Sequence, residues 1–525
     1  MTLLFLLLGC PAPDPGKEGE GGTDSTAPTD SVPTDSTPGD DTGTTISTPW
    51  DELDEDGDGY TWRTGDCRDD DPGAHRGAPE TAGDGRDDNC DGIDSDRWVL
   101  AETAALRWWT GDLYPGGVGN SAGHGVALVP GALATGAAIL VSGPSDENPE
   151  GPRSPWPATW LLDPLNDPSG PLTDHARAMW VESNYDASYG DAVVGPAGDI
   201  DGDGFADGVL GAWGAQGQAG VVSVFSSAEV GGHDPDEAVV TIVGERGDLV
   251  GAAACGDVDL DGDGRPDLLT NAYNDGLVFL GLTPGVYSTD DADARLAAFP
   301  FCSGAPATDL DGDGIPEVFV RDEVALYAAS GPALAGGAVS PIFTYTRTEE
   351  GEDAASTGDV NGDGVIDVAF GSLSYESAGD QSGRAVFFLG PLLGTREFKE
   401  PDAWLDAETS WIGVSAGLTI SSDLDHDGDT EILVGAPGIY ADVTGAVVVF
   451  RDLWVAGRTT ADADLVLDGY HLYGNFGLFL SGGADADADG VDDLVVGAPG
   501  DDDSTGAAWL FSGADLDARM RAHGR

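Results

Sequence analysis

The chain of 525 residues contains 95 acidic and only 22 basic side chains, which gives a net charge of −73. This acidity argues against binding targets that are themselves polyanions, so neither nucleic acid nor an anionic membrane surface is expected as a partner. The composition of 80 glycines, 32 prolines and 40% hydrophobic residues is typical of many short strands and turns around a sizeable core.

The first ten residues, MTLLFLLLGC, form a short apolar run that ends in cysteine. The run resembles a bacterial lipoprotein signal, which implies that Cys10 is lipidated. The alternative is a chance cysteine after a truncated signal, because no Lys or Arg precedes the run. Residues 11 to 50 are mainly Pro, Gly, Ser, Thr and Asp, which predicts a disordered tether. We expect an exported outer-membrane or surface lipoprotein that meets the membrane only through Cys10.

Residues 51 to 95 are predicted to form a small segment that depends on metal. The run from 54 to 92 resembles the cysteine-framed metal-binding motif of bacterial surface proteins. The resemblance implies a calcium cluster formed by Asp54, Asp56 and Asp58. It also implies a second acidic cluster, formed by Asp84, Asp87, Asp88 and Asp91. One disulfide, between Cys67 and Cys90, would frame the segment. An acidic linker without metal is the alternative.

A nine-residue acidic pattern recurs six times downstream, with oxygen-bearing side chains at its first, third, fifth and ninth positions. These residues, in loops numbered one to six, are Asp199, Asp201, Asp203 and Asp207; Asp259, Asp261, Asp263 and Asp267; Asp309, Asp311, Asp313 and Glu317; Asp359, Asn361, Asp363 and Asp367; Asp423, Asp425, Asp427 and Glu431; and Asp485, Asp487, Asp489 and Asp493. Alternating carboxylates wrap a hard cation that prefers oxygen ligands, so Ca²⁺ is the predicted ion.

The seventh residue of each loop is assigned to the same metal site, because this position supplies a backbone carbonyl in an EF-hand. These residues are Phe205, Arg265, Ile315, Val365, Asp429 and Val491. The loops are nevertheless not EF-hands, since none has the bidentate Glu at position twelve. β-branched and apolar residues follow each loop instead, which predicts a calcium clasp within a β-hairpin.

The loops begin at intervals of 60, 50, 50, 64 and 62 residues, a spacing typical of a repeat architecture. After each loop come an apolar run, a turn with glycine and a second apolar run, such as VVSVF at 221 to 225. A third run precedes the next unit, so each unit has the four strands of one propeller blade.

A seventh unit without metal is predicted at residues 126 to 144. Alignment of Ile139 with Ile432 places Pro130, Ala132, Ala134 and Ala138 where ligands should stand. The stretch has 18 weakly apolar residues before its final proline and could be taken for a membrane helix. Its proline and glycines fit a turn better than a helix interior.

The seven units resemble the propeller of FG-GAP repeats at the head of integrin α-chains. The residues that carry the resemblance are Gly435-Ala436-Pro437, Gly497-Ala498-Pro499, Tyr189-Gly190 and Phe476-Gly477. The resemblance implies an all-β, seven-bladed β-propeller over residues 96 to 515, followed by a C-terminal tail at 516 to 525. It also implies an adhesive, cell-surface function, although one fold hosts many functions.

Two further expectations concern chain closure and cysteine chemistry. The chain ends soon after the third strand of its last blade, so a segment around Trp98 to Trp109 is expected to supply the missing strand and remove an open edge. Cys255 and Cys302 are expected on inner strands of adjacent blades, where they either pair or remain buried thiols.

A binding face is predicted opposite the calcium loops, because successive connections of a meander emerge at opposite ends. Its aromatic candidates follow the GAP-like position in four blades and are Trp213, Tyr273, Tyr375 and Tyr440. The alternative is that each ring packs on its own blade. The partner is expected to be a surface protein or glycan. A polysaccharide-processing enzyme and a ligand-free spacer remain alternatives, but the chain has no His-x-x-x-His pair, and no catalytic residue is assigned.

Overall fold

The computed structural model describes residues 98 to 522 with gaps, and before them only Pro72 and Gly73. The gaps are 112–120, 135, 144–157, 182–192, 234–236, 302–307, 323–324, 347–353, 374, 379–381, 409–412, 439–443, 453–455, 470, 472 and 502–504. The chain divides into two compact units, Met1–Asp94 and Ser95–Arg525, and the described fold is that of the second.

Seven β-sheets make up this second unit, and each contains an antiparallel meander of four strands. Blades one to four, from inner to outer strand, are β3 (Gly125–Leu133), β4 (Gly136–Gly143), β5 (Ala158–Leu162) and β7 (Ala178–Val181); β8 (Val193–Gly198), β9 (Asp207–Ala212), β10 (Val221–Phe225) and β12 (Val240–Val243); β13 (Ala254–Val258), β14 (Asp267–Ala272), β15 (Asp275–Phe279) and β17 (Ala294–Leu296); and β18 (Phe299–Pro300), β19 (Glu317–Arg321), β20 (Ala325–Ser330) and β21 (Pro341–Thr346).

Blades five to seven repeat the arrangement. Their strands are β22 (Ala354–Gly358), β23 (Asp367–Ser372), β24 (Arg384–Phe388) and β26 (Ala403–Asp406); β27 (Leu418–Thr419), β28 (Ile432–Ala436), β29 (Ala446–Phe450) and β31 (Leu465–Asp468); and β32 (Phe479–Ala484), β33 (Asp493–Ala498), β34 (Ala507–Phe511) and β2 (Arg107–Thr110). The predicted all-β, seven-bladed propeller is confirmed.

The hydrophobic core is a ring of layers between successive blades. Phe387 of blade five, for example, shares one buried cluster with Val434 and Val448 of blade six. The second and third strands are buried along nearly their whole length, as in β28 and β34. Strands with both faces covered need continuous apolar runs, which explains why these segments do not alternate with polar residues.

Six blades carry a fifth, outermost strand that another segment donates in parallel. These strands are β1 (Trp98–Leu100) on β31, β6 (Gly170–Pro171) on β2, β11 (Gly231–His233) on β7, β16 (Gly285–Ser288) on β12, β25 (Gly394–Glu397) on β21 and β30 (Ala456–Thr459) on β26. Most come from the connection between strands three and four of the following blade. The predicted four strands per unit did not include this fifth strand, because the donated segments are short and weakly apolar.

The N-terminal segment closes the ring, as predicted. β2 pairs antiparallel with β34 in the register Trp109 to Ala508, and β1 lies on blade six. Trp109 is fully buried, and its indole Nε1 donates to Pro168 O at 3.0 Å. Closure therefore removes the edge that β34 would otherwise expose.

The unit that was predicted to lack metal ligands is blade one. β3 and β4 form an antiparallel hairpin with Leu128 opposite Ile139, and a tight turn stands where the other blades have a nine-residue loop. Pro130 and Ala132 lie in β3, and Ala138 lies in β4. These side chains offer no ligand oxygen.

The FG and GAP glycines meet at the joint between two blades. A Cβ on Gly435 of blade six would overlap the carbonyl oxygen of Gly477, which begins blade seven. Gly477 in turn donates its amide to Gly497 O at 3.2 Å within its own blade. Gly497 stands in the same relation to Gly123 of blade one. Glycine is required here because the backbones approach too closely for any side chain.

Helices are few and short among the described residues. They are α1 (Ala101–Ala104), α2 (Leu172–His175), α3 (Ala215–Gln218), α4 (Gly331–Ala335) and α5 (Gly513–Ala522), with 3₁₀ turns at Thr289–Asp291 and Thr460–Asp462. α5 occupies much of the segment predicted as a tail, because Leu516 and Met520 lie one turn apart and are both buried. No helix in the described part of the chain is long and apolar enough to cross a membrane.

Cys255 on β13 is disulfide-bonded, so the alternative of a free thiol is wrong for this residue. Its candidate partner Cys302 lies outside the described residues.

Candidate metal centres and the face opposite them

Each acidic loop connects the first and second strands of its blade, so loop one lies in blade two and loop six in blade seven. The first carboxylate turns inward over the loop: Asp199 accepts the amides of Gly202 at 2.7 Å and Gly204 at 3.0 Å. Gly202 and Gly204 have positive φ, which glycine adopts without strain. The same pair of bonds recurs on Asp259 and Asp309. The repeated Asp-Gly spacing thus folds the loops alike.

The ninth residue lies at the start of the second strand, or directly before it in loop five, and is buried under the loop. Its carboxylate accepts the amide of the second loop residue, as Asp207 does from Ile200 at 3.0 Å and Glu431 does from Leu424 at 2.5 Å. Asp207 is fully buried and Glu431 is 1% exposed. This bond ties the loop to the blade core.

Each ninth-position carboxylate has a second oxygen, and the surroundings of this oxygen show whether a cation fits in the loop. Among the described residues, Asp207 Oδ1, Glu317 Oε1 and Glu431 Oε1 are buried without a hydrogen-bond partner. An unpaired buried carboxylate oxygen is costly, and a cation in the loop would satisfy it. In loops two, four and six the corresponding oxygen instead accepts an amide just beyond strand three, from Gly281, Gly390 and Gly513.

Burial shifts the protonation of these ninth residues. It raises the pKa of Asp207, Glu317 and Asp493 to about 7, of Asp367 to about 6 and of Glu431 to about 8. Neighbouring loop carboxylates add to most of these shifts. A bound divalent cation would favour the ionised form, since an opposite charge nearby lowers the pKa of an acid.

Five loops bring three carboxylates together with ligand oxygens within 4.8 Å of one another. The triads are Asp199, Asp201 and Asp203; Asp259, Asp261 and Asp263; Asp309, Asp311 and Glu317; Asp423, Asp425 and Asp427; and Asp485, Asp487 and Asp493. Loop four substitutes Asn361 for its third-position carboxylate, yet Asp363 N still donates to Asn361 Oδ1 at 3.0 Å. These oxygen-only clusters could hold a metal ion. That the ion is Ca²⁺ stays a prediction.

The predicted seventh-position residues differ in what their side chains do. Arg265 turns back on loop two and donates to Asp263 Oδ2 at 3.0 and 2.6 Å. Asp429 in loop five has its pKa raised to about 7 by burial and by the adjacent Asp427. Phe205, Ile315, Val365 and Val491 place no charge in the loop. A backbone carbonyl ligand at position seven stays a prediction.

Arg451, which was not predicted as a site residue, follows β29 and donates to Asp425 in loop five at 2.8 Å. No nearby motif signals the contact, because the two residues are 26 positions apart and meet only through the meander.

The predicted aromatic residues lie on connections between strands two and three, opposite the acidic loops. Tyr273 is 49% exposed and has a φ of 56°, a left-handed conformation that is strained for tyrosine. Trp213 is half-buried, and its Nε1 has no hydrogen-bond partner among the described residues. Tyr440 lies outside the described residues.

Tyr375 packs down on the side chains beneath it, on Arg384 of its own blade and on Phe398, which follows the strand donated to blade four. Its ring lies 5.0 Å from that of Phe398, and the Arg384 guanidinium lies 4.5 Å above it. Tyr473, which was not predicted, is 60% exposed with a φ of 63° on the connection from blade six to blade seven. Its position shortly before Phe476-Gly477 could have identified it as a candidate, since the connection between blades lies at the same end as the connections between strands two and three.

The N-terminal assignments lie outside the described residues. They are Cys10, the cluster of Asp54, Asp56 and Asp58, the cluster of Asp84, Asp87, Asp88 and Asp91, and the pair Cys67 and Cys90.

Comparison with known proteins agrees with this architecture. The FG-GAP-like repeat model matches residues 259–320, from the start of loop two to Val320 in β19. Human integrin alpha-D is 32% identical over 164 residues, which are 30% of this chain and 13% of the relative. Human integrin alpha-X is 30% identical over 218 residues, 38% of this chain and 18% of the relative. Human integrin alpha-IIb is 35% identical over 148 residues, 27% and 14% of the two chains.

Fold, glycine joints and acidic loops together define a seven-bladed β-propeller with FG-GAP repeats. The protein is similar to integrin α-chains through these repeats, and it spans less than a fifth of the length of the relatives named.

Proposed function

We propose that this protein is a calcium-stabilised binding module of the cell surface, whose ligand docks on the face opposite the acidic loops. The observation that carries the proposal is the buried, unpartnered carboxylate oxygen of loops one, three and five, on Asp207, Glu317 and Glu431. A folded protein that leaves such oxygens unpaired gains stability from any cation that binds only the native state.

Calcium is the cation that fits best. The donors are carboxylate oxygens and one amide oxygen, without His or Cys, and calcium accepts six to eight oxygens in flexible geometry. When bound, it would supply positive charge that neutralises the loop carboxylates. The extreme net charge of −73 makes such neutralisation valuable to a compact fold.

Export and surface display are supported independently. The disulfide at Cys255 is typical of oxidising compartments outside the cytosol. Lipidation at Cys10 and a tether at residues 11 to 50 would place the propeller at the bacterial cell surface. Similarity to integrin α-chains favours adhesion to a protein or glycan over catalysis.

The binding face would use exposed aromatic side chains, of which Tyr273 and Tyr473 are the most accessible. Exposed rings supply large contact area with few rotatable bonds. Tyr273 lies on a tight connection between β14 and β15.

Two measurements on the purified chain test the proposal. Calcium at millimolar concentration should raise the melting temperature above that in EGTA, because extracellular modules bind at about 10⁻⁴ to 10⁻³ M. Protein and glycan arrays, probed with and without calcium, should then reveal a ligand. An identical melting curve in calcium and EGTA would refute the metal role, and hydrolysis of an arrayed glycan would favour an enzyme.

A further inference from the structure

Arg451 places a guanidinium on loop five in a site shielded from water. Its Nη2 donates to Asp425 Oδ2 at 2.8 Å, and the Asp425 side chain is only 4% exposed. Arg265 pairs with Asp263 in loop two, but there the side chains are 58% and 34% exposed. An exposed pair is screened by solvent and is weak, whereas a shielded one is not.

A second carboxylate is within reach of the same guanidinium. Asp517 on α5 lies 3.9 Å from Arg451, at its Oδ1. Arg521 joins this group, since it donates to Asp517 at 2.7 Å and to the backbone oxygen of Asp425 at 3.4 Å. Loop five and the C-terminal helix are thus connected through two arginines.

Apolar packing and backbone contacts set α5 against loops five and six. Leu516 of α5 is fully buried in one cluster with Leu424, the second residue of loop five. Gly513, at the start of α5, donates to Asp493 of loop six at 3.0 Å. The third-position carboxylates of loops five and six are half-buried, whereas those of loops two and three are exposed.

Loop five still fits a metal ion. Glu431 Oε1 is buried without a partner among the described residues, and Asp423, Asp425 and Asp427 converge within 4.8 Å. Loop five differs from loops one, three and six because one of its candidate ligands, Asp425, is already paired with the guanidinium of Arg451.

We propose that Arg451 competes with the metal for Asp425 and passes to Asp517 when the metal binds, which links occupancy of loop five to α5. This inference rests on the proposed calcium function. The resident guanidinium must leave Asp425 before a metal gains full access, so loop five binds calcium more weakly than loops one, three and six. The exchange keeps the arginine paired, because Asp517 accepts it.

The test is hydrogen-exchange mass spectrometry of the full chain during a calcium titration, which gives a midpoint for each loop. Arg451→Met should lower the loop-five midpoint by about tenfold, as expected for loss of one charge-assisted hydrogen bond to a ligand. Asp517→Asn should raise it, because the displaced arginine loses its alternative partner. Peptides from residues 513 to 522 should change exchange at the loop-five midpoint in the wild type.

Arg396→Gln is the matched control. It removes an equal charge from β25, where Arg396 pairs with Asp402 at 3.7 Å outside loop five, and the loop-five midpoint should stay in place. Equal midpoints for loops five and six in the wild type, or a weaker loop five in Arg451→Met, would overturn the inference. Absence of calcium protection in every loop would instead overturn the proposed function. Should Arg451→Met fail to fold, the rise predicted for Asp517→Asn decides the matter.

Discussion

Gly435 and Gly477 lie so close across the joint of blades six and seven that a Cβ on Gly435 would overlap the carbonyl oxygen of Gly477. Gly435 belongs to a GAP triplet and Gly477 to an FG pair. The two halves of the repeat motif therefore lie on neighbouring blades and meet where those blades pack. Their requirement for glycine is steric, since no backbone shift relieves one joint without disturbing the strands on both sides.

Gly435→Ala should destabilise the protein by about 2 to 3 kcal/mol, because the added methyl group overpacks a joint lined by backbone. Urea unfolding monitored by tryptophan fluorescence measures the loss. Gly232→Ala on β11 is the control: a Cβ there meets nothing within 4 Å, so stability should hardly change. Equal effects of the two substitutions would mean that the joint is not what requires glycine.

Because Trp109 lies in the strand that closes the ring, the stability of the protein should depend strongly on this residue. Trp109→Ala removes a fully buried indole that also donates to Pro168 and should cost about 3 to 5 kcal/mol. Trp108→Ala should cost less, since Trp108 is half-buried and stacks on Trp509 at a ring separation of 6.0 Å.

Deletion of residues 96 to 110 should abolish cooperative folding, because it removes β1 from blade six and β2 from blade seven. Circular dichroism and size exclusion would show the loss. A deletion variant that unfolds in one cooperative transition at the wild-type temperature would contradict the closure model.

Metal-free protein should lose stability as the pH rises from about 4 toward 8. The folded-state pKa is raised to about 7 for Asp207 and Asp493 and to about 8 for Glu431, above the unfolded values of 3.8 and 4.5. In this window the folded chain binds more protons than the unfolded chain, so the free energy of unfolding falls with increasing pH. Below the unfolded pKa values both states are protonated and the effect is absent.

Melting temperatures of metal-stripped protein at a series of pH values measure this slope. Glu431→Gln should make it shallower, because the amide has no proton to lose, and calcium should offset the loss at high pH. Repulsion among surface carboxylates changes the melting temperature of the wild type and of Glu431→Gln alike. An unchanged slope in Glu431→Gln would therefore exclude burial of Glu431 as a cause.

Binding should depend on Tyr273 and Trp213 together. Replacing both with Ala is expected to abolish binding to a ligand found on the arrays while the calcium-dependent melting temperature stays within a few degrees, since Tyr273 is exposed and Trp213 is half-buried. Tyr440→Ala can be added to complete the predicted set.

Tyr375→Ala is the contrasting variant. Its ring packs against Phe398 and Arg384, so its loss should lower the melting temperature and leave binding intact. Survival of binding in the Tyr273 and Trp213 double variant would place the site elsewhere.

The sequence by itself determined the blade number, the acidic loops and the closing segment. Each of these leaves a local signal: a loop pattern at Asp359, Asn361, Asp363 and Asp367, a period of 50 to 64 residues, and a missing last strand. Such local signals can be recognised in the sequence because a short stretch of chain must satisfy its own hydrogen bonds and its own burial pattern.

Only the tertiary structure decided the contacts between distant segments. Fifth strands such as β16 lie on a neighbouring blade, Gly435 meets Gly477, and Arg451 reaches Asp425 and Asp517. The packing of Tyr375 on Phe398 and the exposure of Tyr273 are further examples, because identical positions in the repeat face different neighbours. Pairings of this kind depend on how one blade packs on the next, and no periodicity within a blade specifies which side chain will stand opposite.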